Sequence, residues 1–299
     1  MITWTTAGAV ERPIMIQIRV QRAYPGRVRA GAPVPTRSMT PEELVDNLQF
    51  FTEGMRGPRT AACTKLVLSG VGVAGRADTV DAIRQARDWG MDHIVLHAGG
   101  EDLDTFDPAR YAGLVAMIIV PVQPGPAGGA LQAGARAIRA CHDNGIRVVA
   151  NTVLSTTALP DLEPAARAIA ASKPHGAAFT YPFPIAGNTS VHVPGVMAVV
   201  NALHRVVPML DAAGVSSDIK GLPACYLGTL ADRLRRSANR WYVDADHQKG
   251  DAILFFPEVV SFTKTDECRF CSLDARCDGF FATYLRRSSF PPLRAVEAS

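Results

Sequence analysis

The feature that most restricts the fold is a rhythm. Between residues 14 and 213, short apolar runs alternate with longer amphipathic runs. Runs at 14–20, 65–69, 93–97, 117–122, 147–152 and 177–180 have the length and β-branched content of strands. Those at 40–55, 78–89, 108–114, 130–144, 162–171 and 196–213 carry the spacing of helices. The first helix has an explicit start, Thr40-Pro41-Glu42-Glu43. Thr40 suits the N-cap, Pro41 the first helical position, and Glu43 completes a capping box. Gly90, Gly145 and Gly214 fall where helices end. Six strand–helix units in succession imply a parallel sheet with helices outside it, an α/β fold. Periodicity leaves a doubly wound sheet and an open partial barrel equally available.

After Gly214 the rhythm stops. A helix over 227–242, a hairpin over 252–263 and a compact cysteine segment are expected there. The chain thus reads as an extension (1–13), a βα region (14–215) and a C-terminal module (216–299). Residues 23–35, rich in Arg, Pro and Gly, read as a loop.

A net charge of +3 is too small to argue for nucleic acid. Arg233, Arg235 and Arg236 read as a solvated face. No apolar run approaches the ~20 residues of a membrane span; the longest candidate, 114–122, has strand length. The first residues lack a basic and an apolar signal region, so a cytoplasmic location is the expectation.

Six cysteines in 299 residues are too few for a disulfide scaffold. Their placement says more. Cys268-Arg-Phe-Cys271 sets two thiols on one turn, and Cys277 follows six residues later. Cys225, in Gly221-Leu-Pro-Ala-Cys225, is the natural fourth ligand. Four thiolates suit a [4Fe–4S] cluster or a structural Zn²⁺, and spacing alone does not choose. Cys63 and Cys141 read as small core residues.

Ser69-Gly70-Val-Gly72-Val-Ala-Gly75 follows a strand and opens a helix, as a dinucleotide-binding turn does. The acidic residue expected at the end of the next strand is missing, because that strand ends at His97. The competing reading is a glycine turn packed closely on the sheet. Glu101, Asp102 and Asp104 read as a solvated acidic loop. His97, at a strand's C-terminal end, is a candidate acid, base or ligand. Asn151, Thr152 and Tyr181 occupy similar ends and are candidates to line a pocket.

Taken together, the strand–helix series, the glycine turn and the Cys225…Cys268-x2-Cys271-x5-Cys277-x-Gly279 module followed by Tyr284 resemble the radical S-adenosylmethionine (radical SAM) superfamily over nearly the whole chain. The resemblance implies a (β/α)6 partial barrel with an auxiliary-cluster module at the C-terminus. It also implies a C-x3-C-x2-C loop after the first strand, whose cluster leaves one iron open to SAM. Here Ala23, Arg27 and Ala30 stand where those cysteines belong. Val71 replaces the glutamate of the family's strand-two motif, leaving Ser69, Gly70 and Gly72 as a remnant of the SAM-site turn. Pro121-Val-Gln-Pro-Gly125 departs from the family's strand-four turn, while Phe179–Asn188 keeps a family-like strand six. The resemblance therefore implies a protein without the SAM-cleaving centre. It would be a companion that binds a precursor peptide or small-molecule substrate, or an active radical SAM enzyme, in peptide or natural-product modification. The alternatives are an enzyme using Cys268, Cys271 and Cys277 to hold a cluster open to SAM, and a non-radical reaction around His97.

Overall fold

The computed structural model describes residues 3–5, 8–10, 14–21, 37–52, 62–125, 128–183, 192–255, 262–286 and 290–297. In chain order the strands are β1 (Thr3–Thr5), β2 (Gly8–Val10), β3 (Met15–Arg19), β4 (Lys65–Ser69), β5 (His93–His97), β6 (Met117–Pro121), β7 (Val148–Val153), β8 (Gly176–Thr180), β9 (Ser217–Lys220), β10 (Arg240–Val243), β11 (Ile253–Phe255), β12 (Phe262–Thr263) and β13 (Phe280–Phe281). The helices are α1 (Pro41–Thr52), α2 (Ala77–Asp88), α3 (Gly129–Asp143), α4 (Leu162–Ser172), α5 (Val196–Ala212) and α6 (Ala282–Leu285). Two compact units are present. The first comprises residues 1–121, 139–148 and 239–255, and the second comprises 122–138, 149–238 and 256–299.

In the first unit β3, β4, β5 and β6 lie parallel and side by side in chain order, with Ile16 opposite Leu66, Leu66 opposite Ile94 and Leu96 opposite Ile118. All of these side chains are buried, as are Ile18, Leu68 and Val120. Apolar runs this continuous are what a parallel sheet covered by helices requires. The capping box forms as read: the Glu43 amide donates to Thr40 Oγ1 at 3.2 Å and the Thr40 amide to Glu43 Oε2 at 2.9 Å. The helix it starts, α1, buries Leu44, Leu48 and Phe51, and the Phe51 ring meets Trp241 at 5.7 Å.

Several segments differ from the sequence reading. The helix expected at 108–114 is a single 3-10 turn, Pro108–Tyr111, capped by the Asp107 carboxylate and followed at once by Gly113 at φ 72°. The residues between β5 and β6 instead form two 3-10 turns, Gly100–Asp102 and Pro108–Tyr111. The helix expected over 227–242 is a 3-10 turn at Gly228–Arg233 and then strand β10. Trp241 and Val243 are buried in alternation with Arg240 and Tyr242, a period of two. Residues 239–255, read as part of the C-terminal module, belong to the first unit. There β10 pairs in parallel with β3 and antiparallel with β11, and β11 replaces the expected hairpin with residues near 262.

The second unit carries β7, β8 and β9 in parallel, so the rhythm continues one strand beyond Gly214. Helices α4 and α5 bury Leu162, Ala166, Ile169, Val199, Leu203 and Val206. The cysteine segment has little regular structure. Rings fasten it instead. Tyr284 stacks on Phe290 at 5.2 Å, Phe262 on Phe281 at 4.3 Å, and Tyr181 meets Phe280 at 5.6 Å. The Tyr181 hydroxyl donates to the Pro194 carbonyl (2.6 Å) and the Tyr284 hydroxyl to that of Pro182 (3.0 Å). The end of β8 and the start of α6 are thereby joined through buried, satisfied groups.

Backbone demands are sharpest at Gly70. Its φ is 127°, and an added Cβ would stand 2.7 Å from the amide nitrogen and carbonyl oxygen of Gln21. Gly72 has φ 74° but open space around it. Gly70→Ala is expected to cost about 2–4 kcal/mol in chemical denaturation and Gly72→Ala only about 1 kcal/mol. Equal costs would show that the approach to Gln21 relaxes freely.

Candidate metal centre

Cys225 sits in the 3-10 turn Ala224–Tyr226 just after β9, where Pro223 sets the backbone before the turn. Cys268 lies in the turn Asp266–Phe270, Cys271 ends it, and Cys277 ends the turn Asp274–Arg276. Short turns of this kind bring side chains close without a helix or strand to bury. All four cysteines, with Lys264 and Arg294, line one open cavity in the second unit.

Backbone amides point at the sulfurs. Cys277 Sγ accepts from the Ala224 amide at 3.5 Å and the Gly279 amide at 3.2 Å. Cys271 Sγ accepts from the Val296 amide at 3.4 Å, and the Arg294 backbone faces the Cys225 thiol and lowers its pKa. Cys268 Sγ lies 3.6 Å from Thr265 Oγ1. Gly279 is required in its place: its φ is 87°, and a Cβ would collide with the Thr263 carbonyl oxygen at 2.2 Å. Arg236 clamps the following loop, donating to Asp278 Oδ1 at 3.0 Å and to the Ala275 carbonyl at 3.1 Å.

Burial pushes the thiols of Cys225 and Cys277 above their ordinary range, and the amide donors only partly offset it. Without a metal both therefore keep their protons at neutral pH. An incoming metal displaces those protons, and the amides then stabilise the sulfur's negative charge. Four soft donors with hydrogen bonds already aimed at them are a donor set suited to an iron–sulfur cluster. Among the described residues no group of three or more His, Cys, Asp or Glu side chains converges tightly enough to hold a single metal ion. Cys63 and Cys141 are buried elsewhere, their thiols pushed up to about 12 by burial, as core residues.

The other residues singled out from sequence have structural places. His97 is half-buried at the C-terminal end of β5, in register with Ser69 at the end of β4. Thr152 is fully buried, and its hydroxyl donates to the Val122 carbonyl at 2.8 Å. Asn151 accepts from the Thr180 hydroxyl at 3.0 Å. Tyr181 is buried against Pro194, so Thr152 and Tyr181 serve packing rather than lining a pocket. Ala23, Arg27, Ala30 and residues 184–191 lie outside the described residues.

The glycine turn is occupied from within. The Gly72 amide donates to Glu101 Oε1 at 3.2 Å, while Asp102 Oδ2 accepts from the amides of Ala74 (3.3 Å) and Gly99 (2.8 Å). Amides that a pyrophosphate would take thus already serve carboxylates of this chain. The reading of Asp102 as a solvated residue is overturned: it is 3% exposed, and burial raises its carboxyl above the ordinary value. The glycines at 99 and 100, which let the chain fold back on the turn, were the signal available in the sequence.

Asp102→Ala leaves buried amides unpaired and is expected to cost about 2 kcal/mol. Because Asp102 holds its proton more tightly folded than unfolded, its own contribution falls as pH rises through the carboxylate range. The penalty should therefore be larger near about pH 4 than at about pH 7, as read by denaturation at the two values. A penalty that grows with pH would contradict the sign of the shift.

Among the described residues no helix is long and apolar enough to cross a membrane. No protein-family model and no curated protein matches the sequence. Solved structures do. Streptococcus suis SuiB bound to precursor peptide SuiA aligns with 95% of this chain and 75% of its own, at TM-score 0.59 and 8% identity. Native anSMEcpe with bound AdoMet and Kp18Cys peptide aligns with 89% of this chain and 88% of its own, at TM-score 0.58 and 10% identity. At such identities the likeness is one of architecture: this chain shares the α/β fold of SuiB and anSMEcpe.

Proposed function

We propose that the protein is a cytoplasmic, peptide-binding companion in peptide or natural-product modification, holding one C-terminal [4Fe–4S] cluster and lacking the means to cleave SAM. The observation that carries this reading is the distribution of thiols. Cys225, Cys268, Cys271 and Cys277 meet at one cavity, while no cysteine occurs in the sequence before Cys63. The loop after β3 therefore has no thiolate with which to hold a second cluster. Peptides bound to SuiB and anSMEcpe, which share the architecture, support a peptide as the ligand.

A cluster held by four thiolates supplies electron transfer or a structural link, with no iron left open to a substrate. Around it the chain's own groups have distinct tasks. The amides of Ala224, Gly279, Val296 and Arg294 hold negative charge at three sulfurs. Lys264, fixed by Asp274 at 2.9 Å, adds a positive charge at the cavity wall.

Anaerobic purification should yield about four irons and four sulfides per chain. Cys225→Ala and Cys277→Ala should each lower iron content, and SAM should leave the reduced-state EPR spectrum unchanged. Under strong reduction no 5′-deoxyadenosine should form from SAM; appreciable turnover sinks the companion reading. Iron content unaffected by Cys225→Ala, together with a SAM-sensitive spectrum, would establish an open iron instead. Zinc in place of iron would reduce the module to a structural clip.

A further inference from the structure

Residues 290–297 run along the metal cavity, and their backbone reaches both of its arms. One arm is the Cys225 turn and the other the Cys268–Cys271 turn, more than forty positions later in the sequence. On the first, the Tyr226 hydroxyl donates to the Pro292 carbonyl, and the Arg294 backbone faces the Cys225 thiol across the cavity wall they share. On the second, the Val296 amide donates to Cys271 Sγ at 3.4 Å, and the Ser272 amide returns a bond to the Val296 carbonyl at 2.9 Å. Leu293, between these contacts, is 2% exposed and lines the cavity. Phe290 anchors the start of the segment on Tyr284.

We infer that residues 290–297 are a strap whose Arg294 and Val296 amides position and tune the metal centre, tying Cys225 to Cys271. The inference rests on the proposed metal-binding reading and names what governs that site. Hydrogen bonds to ligating sulfur stabilise the more electron-rich state and so raise the reduction potential of a cluster; closing off water protects it. The strap supplies both. Because it binds two separate arms, neither turn can swing out to release its sulfur while the strap is in place. Arg294 and Val296 are positioning residues, acting through backbone groups and not through their side chains.

Proline tests this directly, since it lacks the N–H and residues 291–297 belong to no helix or strand that it could break. Val296→Pro and Arg294→Pro are compared with Val296→Ala and Arg294→Ala, which keep the amides. In the iron-loaded protein the proline variants should shift the midpoint potential negative and lose iron to a chelator several-fold faster than their alanine counterparts. Arg294→Ala separates the side chain's charge from the amide. If the proline variants match the alanine variants in potential and release rate, the strap has no role. Hydrogen exchange on the unaltered protein needs no variant: 290–297 should be protected when metal is bound and exchange faster when it is removed. Equal exchange in the two states overturns the inference. A parent protein that retains neither iron nor zinc removes the metal centre itself, and the strap's role with it. A loaded parent indifferent to the amides removes only the strap's role.

Discussion

The C-terminal segment depends on a knot of aromatic rings. Between Phe262 and Glu297 the described residues hold two two-residue strands, a four-residue helix and two 3-10 turns. So little regular structure satisfies few backbone groups and buries little apolar area by itself. Tyr181, Phe262, Phe280, Phe281, Tyr284 and Phe290 supply the missing burial, and the two tyrosine hydroxyls find proline carbonyls, so nothing polar is stranded among them. The cysteine turns stand on this base. Phe280 and Phe281 follow Cys277 and Gly279 directly, so the rings fix the backbone from which Cys277 Sγ receives its amide. The cavity's geometry is thus inherited from ring packing and completed by the 290–297 strap.

In the first unit the analogous turn is closed from within. Gly70 lies on Gln21, Ser69 donates to the Ile18 carbonyl at 3.4 Å, and Glu101 and Asp102 take the amides that follow. The Tyr111 hydroxyl seals the turn's far side on the Ala74 carbonyl at 2.8 Å. A turn so thoroughly bonded is rigid and has few donors left for an anion. Its charge balance also differs from that of a phosphate site: a buried carboxylate already sits where a second negative charge would have to come.

Much of this was legible in the residues. The strand–helix alternation depends on local period, and Thr40 and Glu43 make a capping box within four residues, so both survive without tertiary information. The cysteine spacing is local in the same way: Cys268 and Cys271 share one turn. What failed depended on distant partners. Strand β10 lies in a stretch whose charged residues, Arg233 to Arg240, read as helix; only its pairing with β3, more than two hundred positions earlier, makes Trp241 and Val243 core. Asp102 sits beside Glu101 and Asp104, a pattern that signals solvent, yet amides near residue 74 draw it inside. The strap was invisible because its amides, not its side chains, carry the contact, and every non-proline residue has an amide.

Strand β3 and the cysteine segment each rest on contacts of their own. Strand β3 is held by Ile16 and Ile18 in register with Leu66 and Leu68. In the C-terminal segment the ligands and the fold are harder to separate. Cys277 Sγ accepts two amides, and Cys225 and Cys271 are each tied to the strap, so the sulfurs are themselves hydrogen-bonding members of the local structure. Loss of a thiol there strands an amide as well as a ligand. In the cysteine segment the sulfurs thus help to organise the backbone around them.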